Sequence, residues 1–194
     1  MSKTVLIPIA NGSEEIEVVT MIDVLRRADI EVTVASVSDA DHCQITGSHG
    51  INIVADCAIE DCVKTDFDLI AVPGGLPGAE HLAASDVLDK LLRKQAAAGR
   101  LYGAICAAPL LILGSKGLLE NRTATGHPRF LPVSEAKEVD SESRVVVDGN
   151  CITSQGPGTA IDFALELVEQ LCGVVKREEV SSPLVLMTSA AAYY

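Results

Sequence analysis

The chain has 194 residues, 48% of them hydrophobic and only 3% aromatic, with no Trp; this length favours one domain and buries roughly 70% of the unfolded surface without a disulfide or metal staple. Lys and Arg number 15 against 27 Asp and Glu, a net charge of -12, which argues against nucleic acid or an anionic membrane surface as partner. No run of about 18 apolar residues exists to cross a membrane. Met1-Ser2-Lys3-Thr4 leads straight into a strand with no signal or transit segment, so the expected location is the cytoplasm. Six cysteines (Cys43, Cys57, Cys62, Cys106, Cys151, Cys172) are scattered without Cys-x-x-Cys, Cys57 and Cys62 are the one close pair, and no His stands at zinc-site spacing from them. They are expected to be free thiols rather than a disulfide framework.

In chain order, residues 5–9 form an apolar run that reads as a strand buried on both faces. Asn11-Gly12-Ser13-Glu14 follows, in which Asn11 with Glu14 fits a capping box and Ser13 is an alternative cap. A helix is expected to about Arg27. Glu14 and Glu15 lie in its first turn, where acids suit the positive end of the dipole, with Glu15 beside Arg26 on the polar side. Glu17 shares a row with Met21, Val24 and Ala28, so its carboxyl points toward the protein and burial favours its protonated form. The alternative is a partly exposed Glu at the edge of the apolar arc.

Residues 31–37 alternate with period 2 and read as a strand. Residues 38–55, with Asp39, Gly47, His49 and Gly50, read as a hairpin. Residues 68–72 form the next buried strand, ending in Pro73-Gly74-Gly75-Leu76-Pro77-Gly78. These glycines bend the backbone tightly and expose N–H groups that can bind an anion or oxyanion; the alternative is an ordinary strand-to-helix loop. Neither a P-loop lysine nor Gly-x-Gly-x-x-Gly spacing is present, so no nucleotide cofactor is expected. An amphipathic helix follows over 85–98, ended by Gly99.

Arg100 to Leu113 then reads as a short strand, a single cysteine and an apolar helix. Gly103, Ala104, Ala107 and Ala108 let the chain turn sharply around Cys106, the layout of a nucleophile elbow with Cys for Ser and Ala in the flanking positions. The alternative is a small buried hydrophobe in a turn. Residues 114–122 read as a loop. His127 precedes Pro128 and is biased away from helix; the alternative for it is a surface or satisfied residue. Residues 135–143 read as a solvated acidic segment. Residues 144–147 and 151–154 flank Asp148-Gly149, a hairpin signal, and helices follow over 160–171, ended by Gly173, and from about Lys176 to Ser181 or Ser182.

Strand–helix alternation argues for an α/β flavodoxin-like, doubly wound, mostly parallel sheet with helices on both faces. In such sheets the site lies at the C-terminal strand edges, which here carry residues 11–17, 73–78 and Cys106.

Gly12-Ser13-Glu14-Glu15-Ile16-Glu17, Asp23-Val24-Leu25-Arg26-Arg27, Val72-Pro73-Gly74-Gly75, Ala104-Ile105-Cys106-Ala107-Ala108-Pro109, Thr153-Ser154-Gln155-Gly156-Pro157-Gly158-Thr159 and Ser182-Pro183-Leu184-Val185 run in order nearly end to end. Together they resemble the ThiJ/PfpI superfamily and, within it, the Parkinson disease protein 7 clade, with plant and bacterial members most similar. The resemblance implies a flavodoxin-like homodimer in which Cys106 is an easily oxidised nucleophile and Glu17 hydrogen-bonds it. It also implies that Gly74, Gly75 and Ala107 supply the oxyanion pocket, that His127 is a pocket histidine, and that Pro183 approaches the partner's site. Gln155 departs from animal members, which carry Arg there, and the tail after Met187 departs as well.

The implied activity is cofactor-free and metal-free glyoxalase III-like conversion of methylglyoxal, a small 2-oxoaldehyde, to lactate, with deglycation of glycated substrate beside it. The alternative is a redox-sensing or chaperone protein whose Cys106 oxidises to sulfinate. Ala107, where peptidase relatives carry His, argues against proteolysis. A helix N-terminus, nearby N–H groups and a protonated Glu17 are expected to hold the Cys106 thiol below the ~8.5 of a free thiol.

Overall fold

In the computed structural model, which describes residues 2–37, 43–131 and 135–186, the apolar runs become strands because they are buried on both faces. β1 (Thr4–Ile9) leads through α1 (Glu15–Arg27) to β2 (Glu31–Ser36). β3 (Gln44–Thr46) and β4 (Asn52–Val54) form the expected antiparallel hairpin, and β5 (Cys57–Ala58) adds to the main sheet. β6 (Leu69–Val72), α2 (Gly78–Ala83), α3 (Asp86–Ala97) and β7 (Leu101–Ile105) follow. β8 (Thr123–Ala124) pairs with β9 (Glu138–Val139), so the acidic segment contributes a strand as well as solvated surface. β10 (Val145–Asp148), β11 (Cys151–Ser154), α4 (Ala160–Cys172) and α5 (Val174–Ser181) complete the chain. The expectations for Asp39 and for the tail from Met187 to Tyr194 lie outside the described residues.

The main sheet has seven strands in the order β10-β11-β7-β6-β1-β2-β5, parallel except for the β10–β11 hairpin. Its central run, β2-β1-β6-β7-β11, reverses direction between β1 and β6. Right-handed crossovers on either side of that reversal put successive helices on opposite faces. α1 packs against α4, while α3 packs against β6 and β7. The loops after β1 and β6 therefore meet at one crevice. No helix among the described residues is long and apolar enough to cross a membrane.

Three local expectations change. The α1 cap is Glu14, whose carboxylate accepts the Ile16 N–H. Asn11 is drawn away to accept the Thr46 N–H at 2.9 Å, and Ser13 Oγ accepts the Ala10 N–H at 3.0 Å. Tertiary partners outbid the local cap. The apolar segment after Cys106 is a π-helical turn (Pro109–Leu113) running into a 3-10 turn (Gly114–Lys116); Pro109 opens it, where the missing N–H goes unneeded, and such wide turns gather at functional sites. α2 is a short helix ahead of α3, which Ser85 caps by accepting the Leu88 N–H.

Candidate active site

The loops after β1 and β6 are in direct backbone contact. The Glu14 N–H donates to the Gly74 carbonyl at 3.1 Å. Gly75 has φ of +89°, and a methyl there would strike the Glu14 nitrogen and the Gly12 carbonyl. Gly75→Ala is therefore expected to destabilise the protein by about 2 kcal/mol or more, from left-handed strain plus the clash; a urea unfolding midpoint unchanged from wild type would overturn this packing account.

Cys106 follows β7 with φ of +65°, the strained left-handed region for a residue with a Cβ. Its N–H donates to Ser154 O at 3.0 Å and its carbonyl accepts the His127 N–H at 2.8 Å, so β11 and the 127 loop hold the elbow from both sides. Cys106 is largely covered, 9% exposed, and lines a 430 Å³ cavity.

Glu17 is fully buried. Its Oε2 accepts the Gly74 N–H at 2.7 Å, and its Oε1 has no conventional hydrogen-bond partner among the described residues. The group it faces is the Cys106 sulfur. Burial pushes the Glu17 carboxyl up to about 7, against the pull of the Gly74 N–H and Cys106. Burial and the ionised Glu17 push the Cys106 thiol up to about 12, the reverse of the expected direction, while the N–H groups of Gly75 and Ala107 pull it down. The two acids are one coupled pair: two negative charges at this spacing cannot both be held in a dry site.

Gly74 differs from its expected part. Its N–H is committed to Glu17, and a Cβ there would lie 2.7 Å from the Cys106 Cβ. It serves by having no side chain, and the donors that face the sulfur are Gly75 and Ala107. His127 lines the same cavity, stacks edge-on against Phe130 at 6.0 Å, and accepts the Arg129 N–H at Nδ1. That bond leaves the proton of the neutral ring on Nε2. Pro183 lies in the exposed turn after α5 (Ser182–Leu184), and Gln155 donates to Ser141 O.

Ser48 and His49, at the tip of the β3–β4 hairpin, also line the cavity. Sequence reasoning placed them in a hairpin and assigned them no part in the site, because nothing local ties them to α1. Glu15, expected beside Arg26, is instead buried beneath them. It accepts the His49 N–H at 2.6 Å and the Ile51 N–H at 3.3 Å, and meets His49 Nδ1 at 3.1 Å. Arg26 pairs with Asp56. Burial alone would raise Glu15, but these bonds outweigh it and hold the carboxyl at about 2. The hydrogen bond to Glu15 and the charge of Glu14 raise His49. Glu14, Glu15 and His49 are the one group among the described residues whose ligand atoms lie close enough together to hold a metal ion. Because the Glu15 carboxyl is depressed in the fold, its stabilisation is complete above its ordinary 4.5 and is lost as pH falls toward 2. Glu15→Gln is expected to lose about 1–3 kcal/mol at neutral pH and to flatten the acid limb of a stability–pH curve; an unchanged acid limb would count against this network.

A family model described as DJ-1/PfpI family matches residues 3–170. Protein DJ-1 homolog A of Arabidopsis thaliana is 50% identical over 186 residues, covering 95% of this chain and 47% of that protein. The chain thus spans about half the length of the Arabidopsis relatives it matches. The glutathione-independent glyoxalase DJR-1.2 of Caenorhabditis elegans is 37% identical, over 95% of this chain and 96% of that one. The structure of oxidized Toxoplasma gondii DJ-1 superposes with a TM-score of 0.92 at 40% identity, over 96% of this chain and all of that one.

Proposed function

The chain belongs to the DJ-1/PfpI family, and from that premise we propose that it is a cysteine-dependent, cofactor-free enzyme converting methylglyoxal to lactate. The observation that carries this reading is the Cys106 sulfur, set in a cavity between a buried Glu17 and the N–H groups of Gly75 and Ala107. The name of the Caenorhabditis elegans relative supports it.

The reactive form of the pair is the thiolate with its proton on Glu17. The protonated Glu17 carboxyl, whose Oε1 has no hydrogen-bond partner among the described residues, becomes an O–H donor toward sulfur, and the like-charge repulsion that raises the thiol disappears. Burial, which raises the Glu17 carboxyl to about 7, is what favours keeping the proton there. Sulfur attacks the aldehyde carbon, and the resulting oxyanion is received by the Gly75 and Ala107 N–H groups. It takes up the Glu17 proton, which frees the carboxylate to act as a base. Glu17 then removes the C1 hydrogen as a proton, leaving an enediolate; the proton on the C1 oxygen passes to the C2 oxygen, and Glu17 returns its proton to C2. Water hydrolyses the product thioester; lactate leaves as its anion, and of the two protons released one returns to Glu17 and the other goes to solvent, restoring the thiolate. His127, which lines the cavity with Cys106, is a further group for proton transfer. The same thiohemiacetal chemistry extends to glycated adducts.

The working unit is a cytoplasmic homodimer. Ile16 and Val19 on α1, 57% and 52% exposed, with Ile161 on α4 offer an apolar face for the partner, and Pro183 approaches the partner's site. Product analysis of methylglyoxal treated with wild type and with Cys106→Ala tests the reading. Should turnover be absent in both while mild peroxide converts Cys106 to sulfinate, the same two N–H groups serve a redox sensor instead.

A further inference from the structure

A second thiol centre lies at the sheet edge, with β6, β1 and β2 between it and β7. Cys57 on β5 and Cys62 at the end of the 3-10 turn Ile59–Cys62 bring their Sγ atoms to 3.7 Å. We propose that Cys57 and Cys62 are a peroxide-responsive dithiol that closes to a reversible disulfide, independently of Cys106 and of the activity assigned to it.

The surroundings suit closure. A disulfide needs about 2.05 Å between sulfurs, so the pair must approach by roughly 1.7 Å. The backbone on either side is pinned: the Asp56 N–H donates to the Val34 carbonyl at 2.8 Å, and Ile59 is buried in the core. The turn between them has a long closing bond, Val63 N–H to Glu60 O at 3.4 Å, and 3-10 turns tolerate adjustment. β5 is two residues long and pairs only with β2, so the movement disturbs one edge of the sheet. The two thiols also differ. Cys57 is half-buried and reachable by a small oxidant, whereas Cys62 is 3% exposed. Burial raises both thiols, Cys62 to about 12, and the Cys62 contact eases the ionisation of Cys57. Cys57 therefore reacts first and Cys62 resolves.

The chemistry balances with hydrogen peroxide as oxidant. The Cys57 thiolate attacks one peroxide oxygen, the O–O bond breaks, and the departing hydroxide takes a proton to leave water and a sulfenic acid. The Cys62 thiolate then attacks that sulfur, the S–S bond forms as S–O breaks, and a second water leaves. Two thiols lose two electrons and two protons, and peroxide becomes two waters.

The test uses the full chain carrying Cys106→Ala, so that failure here and failure of the proposed activity are separate results. After peroxide, free thiols are alkylated in denaturant and peptides are mapped by mass spectrometry without reduction. The expected result is loss of alkylation at Cys57 and Cys62 together, a peptide lighter by two hydrogens, and full recovery with dithiothreitol. The rate should rise about tenfold from pH 7 to pH 8 as the thiolate fraction grows. In Cys62→Ser, dimedone should capture a sulfenic acid at Cys57. A Cys57–Cys43 bridge, sulfinate at Cys57 with Cys62 still alkylatable, or both thiols untouched would each overturn the proposal.

Discussion

Cys106→Ala is expected to reduce lactate formation from methylglyoxal by about 10³-fold or more, the scale on which loss of a covalent nucleophile is felt. The variant is well suited to the question because it keeps a Cβ. The left-handed backbone at position 106 and its two holding bonds, to Ser154 and His127, are the same for Ala as for Cys. Loss of activity therefore cannot be traced to a collapsed elbow, and the unfolding midpoint should stay close to that of wild type. The Gly75 and Ala107 N–H groups also remain, so weak binding of the aldehyde can persist while turnover disappears. Lactate formed by Cys106→Ala at the wild-type rate would remove sulfur from the mechanism altogether.

Glu17→Gln separates two duties that the carboxyl combines. Gln keeps an oxygen for the Gly74 N–H and places an N–H where the protonated carboxyl would place its O–H. The thiolate keeps its donor, so alkylation at neutral pH should stay fast. Proton transfer through the enediol is lost, so turnover should fall by about 10²–10⁴-fold. Equal losses in alkylation and turnover would reduce Glu17 to a positioning residue.

The same substitution has a stability signature, best read in the Cys106→Ala background, where the carboxyl titrates alone. Burial raises Glu17 from 4.5 to about 7 in the fold. Between those values the folded state holds a proton that the unfolded state has released, so stability falls as pH rises through that window and stays reduced above it. The shift corresponds to about 3 kcal/mol. Glu17→Gln should abolish the slope and raise stability by up to that amount above pH 7. An unfolding free energy with the same pH slope in both proteins would mean that Glu17 is not held in a dry site. A residue that costs stability and yet sits at the sulfur is what a chemical rather than a packing requirement leaves behind.

Much of this was legible along the chain, because it depends on local chemistry. Apolar runs over 5–9 and 68–72 specify strands buried on both faces. The 3.6-residue row Glu17, Met21, Val24 and Ala28 turns the one acid of that row inward. Small residues around Cys106 permit the sharp turn, and Gly149 with Asp148 sets the last hairpin. Other features depend on partners that are distant in sequence. Glu14 rather than Asn11 caps α1 because Thr46, on the β3–β4 hairpin, captures Asn11. Glu15 is buried under His49, a pairing between residues 34 apart that no local period signals. The N–H of Gly74 is spent on Glu17, 57 residues away, which leaves Gly75 and Ala107 to face the sulfur.

The sequence by itself determined the parallel α/β class, the elbow at Cys106 and the inward acid at Glu17, since periodicity, small-residue turns and strand hydrophobicity act within a few residues. Only the tertiary structure decided which donors face the sulfur, that Glu17 and Cys106 titrate as one pair, and that Cys57 and Cys62 touch. Hydrogen bonding, desolvation and like-charge coupling act through space across converging strand ends, and the chain order does not carry those distances.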